Sequence, residues 1–248
     1  MDLGIAGKRA AVAAASKGLG FGTAAALAAE GVHVAICGRD RDAVDAAVVK
    51  LGPNAVGLVA DVSTGQGGSD FVEAAAAALG GPIDIVIANA GGPPPGNFAS
   101  TAIEAYTAAI ELSLLSVVGM CKAAVPAMQA QKWGRIVAIT SISVRQPIPY
   151  LILSNTARAG VTGFLKTLAR EVAGDGITVN SLQPGSHATD RLMKISSDLS
   201  AVAREIPAGF VGSPADFGAC AAFLCSEHAR FVTGTHTPVD GGAYAALL

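Results

Sequence analysis

At 248 residues, with 51% apolar and only 15% charged side chains, the chain has the length of one large domain and ample core material. A formal net charge of -2 without any Lys/Arg run argues against a nucleic-acid or anionic-membrane surface. The start, Met1-Asp2-Leu3-Gly4, has no basic region or long apolar stretch, so no secretory signal is read there; alanine runs such as residues 74–78 fall far below the roughly 18 apolar residues of a membrane helix.

Short β-type runs alternate with Ala-rich helical runs along the whole sequence. The expected strands are Arg9–Ala13, His33–Cys37, Ala55–Val59, Ile83–Ala88, Arg135–Ile139, Ile177–Leu182 and Thr235–Val239. Most are continuously apolar, the pattern of strands covered on both faces. The intervening helical stretches, about 10 to 25 residues, suit crossovers of a parallel sheet. Thr101-Ala-Ile-Glu104 reads as a capping box, and Ser213-Pro214-Ala-Asp216 as a helix start with proline at its first position. These features predict a single-domain α/β fold of residues 1–248: a Rossmann-type, doubly wound parallel sheet of about seven strands with helices on both faces. The Gly/Pro loop 91–96 after the fourth strand is placed to line a ligand crevice, or simply to turn the chain rigidly. Cys37, Cys121, Cys220 and Cys225 are scattered without CxxC spacing, so they read as reduced thiols of a cytoplasmic protein with no metal site.

The first strand runs into Ala13-Ala14-Ala15-Ser16-Lys17-Gly18-Leu19-Gly20 and an Ala-rich helix. Small residues at a strand-to-helix turn let the backbone approach a pyrophosphate at the helix N-terminus, although tight strand–helix packing asks for the same residues. The second strand ends Cys37-Gly38-Arg39 with no carboxylate before Asp40. A carboxylate there would select NAD by bonding the ribose 2′-hydroxyl. Arg39 and Lys17 instead favour the 2′-phosphate of NADP(H) over NAD(H); the alternative makes them solvated charges paired with Asp40 or Asp42.

The turn at Ala14, Ser16, Lys17, Gly18, Leu19 and Gly20 resembles the TGxxxGxG turn of short-chain dehydrogenases/reductases, with alanines in place of Thr and the first Gly. Asn89-Ala90-Gly91 resembles the family's NAG motif, Asn180 to Pro184-Gly185 its NxxxPG segment, and Asp240-Gly241-Gly242 its DGG, in the family's order over essentially the whole chain. The resemblance implies that Asp61 and Val62 contact adenine, and that Thr189 holds the carboxamide or phosphate. Helix capping is the competing role for both Asp61 and Thr189. It also implies a small-molecule substrate and a homotetramer or homodimer. Helices around 103–130 and 154–173 would pair through small residues (Ala157, Ala159, Gly160, Gly163), which equally suit packing on the chain's own sheet. Residues 190–209 are expected to form a substrate lid.

Ser141, Ser154 and Arg158 keep the family's catalytic spacing with changed residues: Ser154 stands for Tyr, Arg158 for Lys, and Ser113 for the usual Asn. A phenol whose ordinary pKa is about 10 can be drawn toward neutrality by an ammonium and protonate a forming alkoxide. A serine hydroxyl is far too weak an acid to replace it, and arginine keeps its proton. Three routes remain. Tyr150 lies one turn before Ser154 if the helix already runs there, though packing in the substrate loop is its competing role. His187 is a second candidate acid, against a plain surface or loop histidine. Hydride addition to a conjugated double bond would need little acid. Two functions follow: an NADP(H)-dependent oxidoreductase on a small carbonyl or enone, similar to chains described as 3-oxoacyl-carrier-protein reductases, or a nucleotide-binding sensor or assembly protein without turnover.

Overall fold

The computed structural model describes residues 1–196 and 198–247. Seven strands form one parallel sheet: β1 (Arg9–Val12), β2 (His33–Gly38), β3 (Ala55–Val59), β4 (Ile85–Ala88), β5 (Gly134–Ile139), β6 (Ile177–Pro184) and β7 (His236–Val239). Their order is β3-β2-β1-β4-β5-β6-β7. Side chains on successive strand residues point to opposite faces. Ala10, Val12, Ile85 and Ile87 therefore enter one core cluster, and Ala11, Ala13, Val86 and Ala88 the other. Burial on both faces explains why the sequence reads as unbroken apolar runs. The winding direction reverses between β1 and β4, which pair as Ala10↔Ile85 through Val12↔Ile87, so a crevice opens beyond their carboxyl ends.

One face carries α1 (Gly18–Ala29), α2 (Arg41–Leu51) and α9 (Pro214–Cys225), with Leu27, Val44 and Phe217 in its core. The other carries α3 (Gly65–Ala78), α5 (Ser116–Gln131) and α6 (Ile152–Val172), with Phe71, Met120, Met128 and Leu165. α1 and α9 cross at two glycines. A Cβ built on Gly22 would lie 2.1 Å from the Pro214 carbonyl oxygen, and one on Gly218 would lie 2.2 Å from the Gly22 oxygen. Ser213 caps α9 as expected, its Oγ accepting from the Asp216 amide at 3.0 Å.

The capping box at Thr101 does not form. α4 (Ile103–Ile110) starts one residue later, with Ala102 at its N-cap and no side-chain bond. Thr101 Oγ1 lies instead against Gly96, where a Cβ would stand 2.6 Å away. A π-helical turn at Glu111–Leu115 joins α4 to α5. The resulting helix Ile103–Gln131, 29 residues with a window of mean hydropathy 1.7, is long and apolar enough to cross a membrane by length and composition, a stretch the alanine runs did not reveal. Its Val117, Met120, Cys121, Ala124 and Met128 pack in the sheet core. The expected lid contains two short helices, α7 (Asp190–Ile195) and α8 (Leu199–Arg204); Ser197, inside its 190–209 span, lies outside the described residues.

Candidate active site

The crevice is built first by the turn from β1 to α1. Ala14 has a φ of 48° and Gly18 a φ of 63°, the left-handed region where a side chain costs roughly 1–3 kcal/mol. Alanine is held there by neighbours. The Ala14 amide faces Cys37 Sγ at 3.4 Å, the Ala15 amide donates to the Cys37 carbonyl at 2.9 Å, and Asn89 Nδ2 donates to the Ala13 and Ala14 carbonyls, both at 3.2 Å. At Gly20 a Cβ would lie 2.7 Å from the Ala14 oxygen, so the helix can start this close only on glycine. Lys17 is the N-cap of α1 but its side chain makes no capping hydrogen bond, and the first turn holds no acidic residue. The leading amides of α1 and the positive end of its dipole are thus left for an anion. Ala90 and Gly91 continue past β4, and a Cβ on Gly91 would meet nothing within 4 Å. An open trough of small residues beside free amides fits a dinucleotide's pyrophosphate.

At the end of β2, Ser16 Oγ lies where a Gly38 Cβ would come within 3.1 Å. Arg39 is exposed and has no ion-pair partner among the described residues. The alternative pairing with Asp40 or Asp42 is not formed: Asp40 Oδ1 caps α2, accepting from the Ala43 amide at 3.1 Å. Lys17 pairs with Asp190 of α7 at 3.7 Å, both side chains more than half exposed. Asp61 does not cap α3; its Oδ1 accepts from the Ser63 amide at 3.0 Å, and Thr64 is the cap. Val62 is buried beside it. Thr189 caps α7, its Oγ1 accepting from the Leu192 amide at 3.3 Å. Its methyl faces Gly18, where a Cβ would lie 3.7 Å away, so capping places it over the turn as well. Pro184 ends β6, and the amide of the following Gly185 donates to the Val239 carbonyl at 3.0 Å. The Asp240 carboxylate accepts from the amides of Gly242 and Tyr244 and fixes the segment against which Gly185 rests.

Ser141 lies two residues past β5 and caps a short 3-10 turn (Ile142–Val144), its Oγ accepting from the Ser143 amide at 3.1 Å. Ser154 is on the first turn of α6, buried, without a hydrogen-bond partner among the described residues. Arg158 follows one turn later on the same face. Its Nη1 donates to the carbonyls of Ile139 at 2.9 Å and Thr140 at 2.8 Å, which brings the guanidinium to the end of β5 beside Ser141. Burial, and secondarily the charge of Arg191, hold its pKa down at about 10, so it stays cationic at neutral pH. Ser113 sits in the π-helical turn, buried, its Oγ unpartnered. The Gly/Pro loop is stitched to the start of α6: the Gly96 amide donates to Tyr150 at 2.7 Å and the Ile152 amide to Gly96 at 3.3 Å.

The two candidate acids, Tyr150 and His187, are not presented as acids by the structure. α6 begins at Ile152, so Tyr150 does not stand one helical turn before Ser154; it occupies a turn with φ of 62° and is 67% exposed. His187 is no surface histidine. It is buried, edge-on to Phe217 with ring centres 5.2 Å apart, its Nδ1 3.2 Å from the Gly185 carbonyl oxygen. Burial lowers its pKa, which disfavours the protonated form an acid would need. Of the small residues proposed for helix pairing, Ala157 is buried inside the chain, while Ala159, Gly160 and Gly163 are exposed; a Cβ on Gly160 would lie 3.5 Å from Leu114. The sequence reading missed Arg191, whose guanidinium lies against Gly92. A basic residue two places after Thr189, with a bare glycine in the loop after β4, was the available signal.

A family model described as Enoyl-(Acyl carrier protein) reductase matches residues 13–244. The chain is 35% identical over 239 residues to a 3-oxoacyl-[acyl-carrier-protein] reductase of Escherichia coli (strain K12), covering 96% of this chain and 98% of the relative. It is 32% identical over 250 residues to Dehydrogenase/reductase SDR family member 4 of Homo sapiens, covering 98% and 90%. The crystal structure of L-sorbose reductase from Gluconobacter frateurii, complexed with NADPH and L-sorbose, superposes with a TM-score of 0.93 at 32% identity over 100% of both chains.

Proposed function

The chain belongs to the short-chain dehydrogenase/reductase family and is an NAD(P)-dependent oxidoreductase; on that premise we propose that it uses NADP(H) in preference to NAD(H) and acts on a small carbonyl or conjugated enone with an altered proton supply. The observation that supports the reading is the Arg158 guanidinium held on the carbonyls of Ile139 and Thr140, next in the chain to Ser141, with the buried, unpartnered Ser154 hydroxyl one helical turn before it. A hydroxyl stands where the family has a phenol, so the position stays polar.

The residues that would hold the cofactor are Ala14, Ser16, Lys17, Gly18, Leu19 and Gly20 for the pyrophosphate and Arg39 for the 2′-phosphate. Asp61 and Val62 would hold adenine, and Asn89, Ala90, Gly91, Arg158, Pro184, Gly185 and Thr189 the nicotinamide half. A bound nicotinamide would supply or accept a hydride. The Ser141 and Ser154 hydroxyls can each donate to an oxygen that gains negative charge, and the Arg158 guanidinium adds a fixed positive field in a poorly solvated place. None of the three can release a proton near neutral pH. That favours substrates whose charge is delocalised onto a hydrogen-bonded oxygen while solvent supplies the proton, as in hydride addition to an enone. The relatives that carry the names of reductases, one of them solved with NADPH, support the direction. A cytoplasmic homotetramer or homodimer, paired through the helices around 103–130 and 154–173, belongs to the same reading.

Three of the four reacting positions differ from the family's pattern, which also favours a second reading, a nucleotide-binding sensor or assembly protein. Thermal protection by NADPH, set against NADPH oxidation over a panel of ketones and enones, separates the two. We expect oxidation with enones ahead of ketones, and unchanged rates in Tyr150→Phe. Strong protection without oxidation across the panel removes the oxidoreductase and leaves the sensor.

A further inference from the structure

Arg191 reaches from α7 across the crevice to the loop after β4. A Cβ on Gly92 would lie 2.0 Å from its Nη1, 2.5 Å from Cζ and 2.6 Å from Nη2, so the guanidinium is seated on a bare backbone. Its neighbour Asp190 is turned to Lys17, and among the described residues no carboxylate pairs with Arg191. β4 and β5 are neighbours paired up to Ala88↔Ala138, so Gly92 beyond one and the Ile139 and Thr140 carbonyls that hold Arg158 beyond the other lie at the same end of the sheet, and the two charges act on each other. Only the Nη1 of Arg158 is engaged, by the carbonyls of Ile139 and Thr140; Nε and Nη2 have no partner among the described residues. Two guanidinium groups that face one crevice without a counter-charge repel each other. An anion between them turns that repulsion into two attractions, and the planar fork of each matches two oxygens of a carboxylate or phosphate.

We propose that Arg191 and Arg158 form a clamp for an anionic oxygen group that enters beneath the lid, either the diphosphate of the cofactor or a carboxylate or phosphoryl group of the substrate. The clamp deepens the oxidoreductase reading and rests on it for the identity of the ligands. Arg191 is the specific half, because it travels with α7: an anion held by both arginines ties the lid to the end of β5. Gly92 is the matching requirement on the loop, since any side chain there displaces the guanidinium.

Calorimetric titration of the wild type, Arg191→Met and Arg191→Lys tests the clamp with four probes: NADPH, inorganic pyrophosphate, and 4-phenyl-2-oxobut-3-enoate and its methyl ester with saturating NADP+. A hydrogen bond between charged groups is worth about one to two powers of ten in binding. If the anion is the diphosphate, Arg191→Met weakens NADPH and pyrophosphate ten- to a hundredfold, with partial recovery in Arg191→Lys. If it belongs to the substrate, NADPH binding holds within twofold, while the keto acid weakens ten- to a hundredfold and its neutral ester does not. A wild type that binds none of the anions overturns the proposal, as does an Arg191→Met variant that binds all of them as tightly as the wild type. Arg191-dependent anion binding by a protein that never oxidises NADPH would leave the clamp standing and remove the oxidoreductase reading alone.

Discussion

Replacement of Gly22 by alanine tests the crossing that positions the nucleotide turn. The new methyl would stand 2.1 Å from the Pro214 carbonyl oxygen and 2.6 Å from its carbon, more than ~1 Å short of ordinary contact. The obstacle is backbone, which cannot rotate away, so α1 and α9 must part. Overpacking of this kind costs about 1–3 kcal/mol, and a backbone clash this deep belongs at the upper end. Alanine regains about 0.5–1 kcal/mol as the better helix former, which leaves a net loss of about 2 kcal/mol. For a chain of this length each kcal/mol moves Tm by about 2–4 °C, so Gly22→Ala melts about 4–8 °C below the wild type at equal protein concentration. Since α1 begins at the turn itself, NADPH affinity falls too. Adding Gly218→Ala costs less than a second full increment, because the helices have already separated. Scanning calorimetry reads the first quantity and titration the second. A Gly22→Ala protein that melts at or above the wild type would refute the packing argument.

Arg39→Asp loosens NADPH about ten- to a hundredfold and narrows or reverses its advantage over NADH; an unchanged ratio of dissociation constants removes Arg39 from the 2′-phosphate site. Burial lowers the pKa of both His187 and His236 from the usual 6.5. The unfolded chain therefore binds the extra protons, and stability is lost as pH falls through the window below 6.5. Melting curves at about pH 7.5 and about pH 5.5 should show that drop, with a smaller one in His187→Gln. Gly163→Ala adds a methyl that meets nothing within 4 Å of its own chain, so on an isolated helix it stabilises by about 0.5–1 kcal/mol. With α6 paired to a second copy it shifts size-exclusion elution toward smaller species; a higher Tm at unchanged elution would place that face in solvent.

The inner strands could be read from sequence because a strand buried on both faces needs an unbroken apolar run, as at residues 10–12, 34–37 and 85–88; β7, with the sequence His-Thr-Pro-Val, is only partly buried and has no such run. Ends were less legible. β4 starts at Ile85 because the Asp84 carboxylate accepts from the Arg9 amide at 2.8 Å, and β6 runs on to Pro184 because β7 pairs with it there. The nucleotide turn was legible through Gly18 and Gly20, which backbone geometry dictates. What could not be read depends on distant segments. Thr101 is drawn to Gly96 instead of capping its helix, Tyr150 is tied down by the Gly96 loop, and His187 is enclosed by Phe217 and Gly212. Arg191 was invisible as part of the crevice because its partner is a bare glycine about a hundred positions away, and helix period or motif spacing carries no trace of such a meeting.

The clasp that Asn89 makes on the carbonyls of Ala13 and Ala14 has a consequence for how a guest is received. With that amide in place, the hollow beneath α1 is moulded before anything arrives, and little chain freedom is surrendered on occupancy. Capture there should follow encounter in a single kinetic phase; a slower phase would point to the lid proposed around α7 and α8.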